Sequence, residues 1–360
     1  MSAPLLLTPG PLTTHPRVRE AMTRDWGSRD RDFIALTAEL RERLLATANG
    51  AGTHEAVPIQ GAGTYVLEAA ASSLLGPGDK LLVLVNGAYG RRMAAIARRL
   101  GREVSTLEWA EDAPVEPGRV DEALAADPAV THVALVHVET TTGLLNPVGA
   151  VAAVTAGAGR RLIVDAMASF GALPLDLAAT PMAAVLASSN KGLEGPPGIS
   201  FALVERGALA AAAGVSPSLS LDLQAQAAGF AANGQWRFTP PVQVVAGTVE
   251  ALRLLEAEGG PPARLRRYGE NLRVLADGVE AAGFPLYLRR EVQAPIIATF
   301  RHGPELDFAA FYDALAARGF VIYPGKLTAE PSFRIGCIGQ VFPDDMRRLV
   351  EAVRDVTRPR

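Results

Sequence analysis

The feature that most restricts the fold is a series of short, nearly unbroken aliphatic runs set between helix-length segments. Residues 81–85, 133–138, 162–164, 184–187 and 199–204 carry apolar side chains at almost every position. Successive side chains of a strand point to opposite faces, so such a run cannot lie on a sheet with one wet face. It reads as a strand covered on both sides, in an α/β fold with helices on either face of a mostly parallel sheet. The segments between agree. A helix is predicted over 88–100, after the turn Asn86-Gly87, and another over about 148–158. With 360 residues, 49% of them hydrophobic, the chain can bury a large core in two or three domain-sized units.

After about residue 245 the texture changes. Long helical patterns run over roughly 246–258 and 263–282, followed by a strand at 296–300 and a helix at 308–318. Strands at 320–323 and 333–335 and a last helix from Asp344 complete the chain. This mixture predicts a smaller α+β domain beside the main one.

Charge and cysteine content exclude several classes. A net charge of −3 and scattered basic pairs such as Arg91-Arg92 and Arg160-Arg161 leave no electrostatic footprint for nucleic acid or an anionic membrane. Cys337 is alone, so no disulfide can form within the chain and a cysteine-based metal site is excluded. The first residues lack a basic leader region, and no uninterrupted apolar stretch approaches 18 residues. The expectation is a soluble, cytoplasmic protein without a metal.

Three features carry chemistry. Gln60-Gly61-Ala62-Gly63-Thr64 runs straight into a helical pattern, and glycines before a helix let backbone N–H groups approach an anion. By itself this is equally a tight turn with Thr64 as a helix cap. Asp165 ends the aliphatic run 162–164, where ligands bind in open α/β sheets. Lys191 lies 26 positions further on, followed by Gly192 and directly before the run at 199–204. A lysine desolvated there has a lowered pKa and a nucleophilic amine. Together these match pyridoxal phosphate, which needs an anion cradle for its phosphate, a lysine for its aldehyde and a carboxylate for its ring nitrogen.

Longer blocks extend the match. They include Leu6-Leu7-Thr8-Pro9-Gly10-Pro11, Asn86-Gly87-Ala88-Tyr89-Gly90, His137-Val138-Glu139-Thr140-Thr141-Thr142-Gly143, Ser189-Asn190-Lys191, Trp236-Arg237-Phe238-Thr239 and Phe333-Arg334-Ile335-Gly336. In these the chain resembles the class V, fold-type I aminotransferases over nearly its whole length. It is most similar to those that move the amino group of 2-aminoethylphosphonate to pyruvate. Ser218-Leu219-Ser220-Leu221-Asp222-Leu223, the Trp236-Arg237-Phe238-Thr239 block and Tyr323-Pro324-Gly325-Lys326 carry that finer resemblance.

The resemblance implies a large domain with a mostly parallel seven-stranded sheet over 16–245, an active-site segment at 1–15, and a small α+β domain over 246–360. It implies that Ala62, Gly63 and Thr64 hold the phosphate and that Tyr89 lies against the ring. Thr140 or Thr142 would contact the ring's phenolic side, and Arg334 the anionic end of the substrate. Thr239 would reach the cofactor of a neighbouring subunit, which requires a homodimer with active sites at the interface. Ala62 stands where close relatives usually carry serine, and the segment 25–32 departs from the wording usual near the substrate mouth.

Competing expectations stay within reach of the same residues. An alanine–glyoxylate or serine–pyruvate aminotransferase would share the lysine, aspartate and arginine. A cysteine desulfurase needs a mobile nucleophilic cysteine, whereas Cys337 sits in an apolar run that reads as packed. A catalytically silent binding protein on the same fold, or a nucleotide-binding enzyme without pyridoxal phosphate, has no reason to keep both Lys191 and Asp165.

Overall fold

The aliphatic runs form the middle of one sheet. In the computed structural model, which describes residues 4–358, the main strands are β1 (His54–Gln60), β2 (Lys80–Val85), β3 (Glu103–Glu108), β4 (Val130–Val136), β5 (Arg161–Asp165), β6 (Ala184–Ser188) and β7 (Ile199–Glu205). Residues 1–3 and 359–360, the ends of the expected N-terminal segment and C-terminal domain, lie outside the described residues. The strand order is β1-β7-β6-β5-β4-β2-β3. Only β7 runs antiparallel to its neighbours; the rest pair in parallel. The expected seven-stranded, mostly parallel sheet is present.

Alternation along these strands feeds two cores. Leu82, Leu84, Val133, Leu135, Leu162 and Val164 point to one face, beneath the helices Arg31–Thr47 and Val148–Gly157. Leu81, Val83, Val85, Ala134, Val136 and Ile163 point to the other, beneath Gly63–Leu74 and Ala88–Arg99. Two strands escape the aliphatic signature. The edge strand β3 is only half-buried and mixes polar with apolar residues, while β1 carries His54, Glu55 and Pro58. Proline is tolerated in β1 because that strand is also an edge, bonded to β7 alone.

The helix Val242–Glu258 begins before the change of texture at 245. Its Val245, Ala246, Val249, Leu252 and Leu255 pack into the first of the two sheet cores. By packing it goes with the sheet, and we propose the turn at Gly259-Gly260 as the start of the small domain in place of residue 246. There the helix Gly260–Glu280 follows, and β8 (Ile297–Arg301), β9 (Tyr323–Pro324) and β10 (Ser332–Gly336) form an antiparallel sheet in the order β8-β10-β9.

The single strand expected at 320–323 is two. Phe320–Val321 pairs in parallel with Leu5–Leu6, and Tyr323–Pro324 joins the three-stranded sheet. The first pairing ties the N-terminal segment to the small domain and leads Pro9 towards the C-terminal edge of the large sheet. Among the described residues no helix is long and apolar enough to cross a membrane.

Candidate active site

Parallel strands deliver their C-terminal ends to one edge, and a cleft of about 210 Å³ opens there. Asp165 closes β5, and Lys191 lies three residues past the end of β6. Both line the cleft. The Lys191 ammonium donates to the Pro9 carbonyl at 2.5 Å, so the N-terminal segment forms part of the site. Burial brings the Lys191 amine down to about 8; the Asp165 carboxylate opposes this, while Arg334, Lys326 and Arg92 reinforce it.

Asp165 is 3% exposed. Burial pushes its carboxyl up to about 7, against the pull of a 2.9 Å bond that Oδ1 accepts from the Met167 N–H. Glu139 raises it further, and Lys191 and Arg92 pull it down. Among the described residues the other carboxylate oxygen has no hydrogen-bond partner, which leaves it open to a cationic or N–H group in the cleft.

The helix Gly63–Leu74 begins without a side-chain cap, because Ala62 has nothing to accept with. Its first N–H groups therefore remain available, and the helix dipole favours an anion there. Ala62, Gly63 and Thr64 all line the cleft. A Cβ at Gly63 would lie 2.6 Å from the Met167 sulfur, so a side chain there would have to push the Met167 thioether aside. Tyr89, at the start of Ala88–Arg99, forms another wall, with the Arg92 guanidinium 4.9 Å from its ring centroid.

The two threonine candidates separate. Thr140 lines the cleft, whereas the Thr142 hydroxyl is used within its own turn. It donates to the Glu139 carbonyl at 3.4 Å and accepts from the Leu144 N–H at 3.3 Å. Arg334 is 2% exposed on β10. Its Nε donates to the Pro324 carbonyl at 3.0 Å and its Nη1 to the Thr140 carbonyl at 2.9 Å. This joins the small domain to the cleft wall, with burial lowering the guanidinium's pKa from its ordinary value.

Thr239 is not brought to this cleft. It is exposed and lines a separate hollow with Gly61, Tyr65, Trp236 and Phe238. None of residues 25–32 lines the cleft either; Trp26 packs against the sheet core beside Phe33. Cys337 is fully buried, and burial raises its thiol pKa far above the usual range, as its apolar run implied.

Sequence reasoning missed Arg92, Met167, Ser188 and Asn190, all of which line the cleft. Arg92 had a signal, since it lies one helical turn after Tyr89 and so shares its face. Three larger hollows, the one with Thr239, one beside Glu42 and Leu252 and one beside Asn49 and Asp176, bring no lysine and carboxylate together.

What the cleft has the charges to hold is an aromatic aldehyde bearing a phosphate. The uncapped helix end suits the phosphate, the free Asp165 oxygen suits a protonated ring nitrogen, and Lys191 is desolvated enough to meet the aldehyde. Proteins built this way on an open α/β sheet are the fold-type I pyridoxal-phosphate enzymes. The family profile described as aminotransferase class-V matches residues 16–341, and the chain belongs to that family, whose cofactor is pyridoxal phosphate.

Among curated proteins it is 53% identical to a 2-aminoethylphosphonate–pyruvate transaminase of Pseudomonas putida (strain W619), over 99% of this chain and 98% of that one. A protein of the same description from Pseudomonas aeruginosa is 51% identical, over 99% and 96%. Among solved structures, an alanine–glyoxylate aminotransferase from Nostoc sp. superposes with a TM-score of 0.93 at 26% identity, covering 99% of this chain and 96% of that one.

Proposed function

We propose that this chain is a transaminase that moves the amino group of 2-aminoethylphosphonate to pyruvate, giving phosphonoacetaldehyde and L-alanine. The observation that carries the substrate assignment is the 53% identity, running almost end to end, to proteins described by that reaction.

Gly63 and Thr64 would hold the cofactor's phosphate through backbone N–H groups and the Thr64 hydroxyl. Asp165 would face the ring nitrogen, Lys191 the aldehyde carbon, Tyr89 the ring face and Thr140 its phenolic edge. When bound, pyridoxal phosphate supplies an electron-accepting ring that allows the C–H bond beside the substrate nitrogen to ionise.

The chain's own residues do the rest. An amine with a pKa near 8 can both accept and release a proton close to neutrality, which suits Lys191 Nζ to take the proton from the reacting carbon and return it one position away. Asp165, buried and held to Met167 N–H, keeps a negative charge in place only against a cationic partner, so it favours a protonated ring. Two backbone carbonyls fix Nε and Nη1 of Arg334, leaving its Nη2 edge to meet an anion. A guanidinium matches a phosphonate as well as a carboxylate, so one arginine can serve the amine donor and then pyruvate.

The working unit in this reading is a homodimer in the cytoplasm. Exposed Tyr65 and Phe238 share a hollow with Thr239, and an apolar patch of this kind beside the phosphate cradle suits a second copy. Thr239 would then approach the partner's cofactor.

A donor screen tests the substrate. Purified protein with pyridoxal phosphate and pyruvate is given 2-aminoethylphosphonate, glycine, serine or other amines, and alanine is measured. Strong preference for the phosphonate is expected. Activity with ordinary amino acids alone would move the chain to the alanine–glyoxylate or serine–pyruvate class. A protein that binds no cofactor would be a silent member of the fold.

A further inference from the structure

The turn after β4 holds a carboxylate that the chemistry above does not use. Glu139 is fully buried, and every side-chain partner it finds is a donor. Oε1 accepts from the Thr141 N–H at 3.2 Å and from the Thr141 hydroxyl at 2.6 Å. Oε2 accepts from the Tyr89 N–H at 3.0 Å, and the Gly90 N–H adds to the same charge. Donors on all sides with no acceptor suit the anion, even though burial pushes this carboxyl's pKa upward.

The carboxylate sits at the N-terminus of Ala88–Arg99, where the helix dipole also favours it. The helix's own N-cap residue, Gly87, has no side chain with which to cap it. A Cβ at Gly87 would lie 2.3 Å from Cγ and Cδ of Glu139, so the backbone is bare where the carboxylate passes.

What Glu139 holds belongs to the cleft on both sides. Tyr89 is one wall. Thr140, locked between Glu139 and the bonded Thr141, is another, and its carbonyl receives Arg334 Nη1 at 2.9 Å. The Glu139 carbonyl meanwhile accepts from the Gly143 N–H at 2.7 Å and closes the turn.

We infer that Glu139 is a positioning residue: it sets Tyr89 against the cofactor and, through the turn at 139–143, seats the Arg334 guanidinium for the substrate's anionic group. One buried carboxylate thus keeps the cofactor half and the substrate half of the cleft in register. This rests on reading the cleft as a pyridoxal-phosphate site. A carboxylate that merely capped a helix would affect stability and nothing else.

Glu139→Gln keeps the shape but turns an NH2 group towards the N–H of Thr141 or of Tyr89, so one donor faces another. Wild type, Glu139→Gln and Thr141→Ala are compared by cofactor Kd, circular dichroism of the bound cofactor's visible band, KM for pyruvate, and Tm. Loss of one charge-assisted bond predicts that Glu139→Gln raises the cofactor Kd and the KM for pyruvate by about tenfold each, with an altered band. Thr141→Ala, which keeps its N–H, moves the same readouts less.

A folded Glu139→Gln protein with wild-type Kd, band and KM overturns the inference, whatever its Tm. If that variant does not fold, Thr141→Ala decides by the same readouts. Wild-type protein that binds no pyridoxal phosphate would instead refute the reading of the cleft itself, and the inference with it.

Discussion

Replacing Asp165 with asparagine is expected to stabilise the cofactor-free protein while disabling the enzyme. Burial lifts this carboxyl from 3.8 to about 7, a gap of about three pH units. At about 1.36 kcal/mol for each, ionised Asp165 costs the empty fold up to about 4 kcal/mol. Because the folded value is the higher one, the folded chain keeps a proton between pH 4 and 7 that the unfolded chain has lost. Stability therefore falls as pH rises through that window, and the full cost is present above pH 7. Asparagine does not titrate, and its Oδ1 can still accept from Met167 N–H. The advantage of Asp165→Asn should be near zero at pH 4 and greatest at pH 8, a rise in Tm on the order of 5 °C. Thermal unfolding of both cofactor-free proteins at the two pH values measures it. Turnover of the loaded variant should drop by at least about a hundredfold, as for other lost electrostatic partners. A variant less stable than wild type at pH 8, or equally stabilised at both pH values, would refute the argument.

Other consequences follow from the same geometry. With its pKa near 8, Lys191 of the cofactor-free protein is about half neutral at pH 8, against well under about 1% for an ordinary lysine, so limited acylation read by peptide mass spectrometry should mark it first. Lys191→Ala should keep measurable cofactor binding yet lose turnover by at least about a hundredfold; normal turnover would remove Lys191 from the mechanism. Arg334→Lys loses the fork held by Pro324 and Thr140, and KM for both 2-aminoethylphosphonate and pyruvate should rise about tenfold or more. A rise for one substrate alone would mean the two anions bind in different places. Ala62→Ser restores a hydroxyl at the uncapped helix end, and the cofactor Kd should fall by about threefold to tenfold. No tightening would place the phosphate away from residue 62.

The centre of the sheet was legible because burial on both faces leaves one kind of composition. Runs such as 81–85 and 184–187 have no polar side to show, and they became β2 and β6. The edges were not legible for the opposite reason. In β3 polar and apolar side chains mix and stay partly exposed, as in many helices and loops. In β1, Pro58 argues against a strand until its edge position is known. The change of texture near 245 reflected a helix that starts at Val242, not the end of the sheet's core, because an apolar helix face looks alike whichever core it meets.

The site divides along similar lines. Asp165 and Lys191 stood out as candidates because one ends an aliphatic strand and the other follows such a strand by three residues, places where an ionisable side chain calls for a ligand or a charge partner. Thr140 and Thr142 were not separable, since spacing along a turn does not say which hydroxyl the turn itself consumes. In the structure Thr140 lines the cleft, while the Thr142 hydroxyl accepts from the Leu144 N–H. Glu139 was the least legible of all. Its block marks it as part of a motif, but beyond Thr141 it is met by the Tyr89 N–H, 50 positions away at the start of a helix, and backbone donors leave no trace in composition. The general consequence is that sequence exposes the groups that touch a ligand more readily than those that hold them. A buried carboxylate surrounded by donors has to be found from its partners, and here those partners are the walls of the cleft.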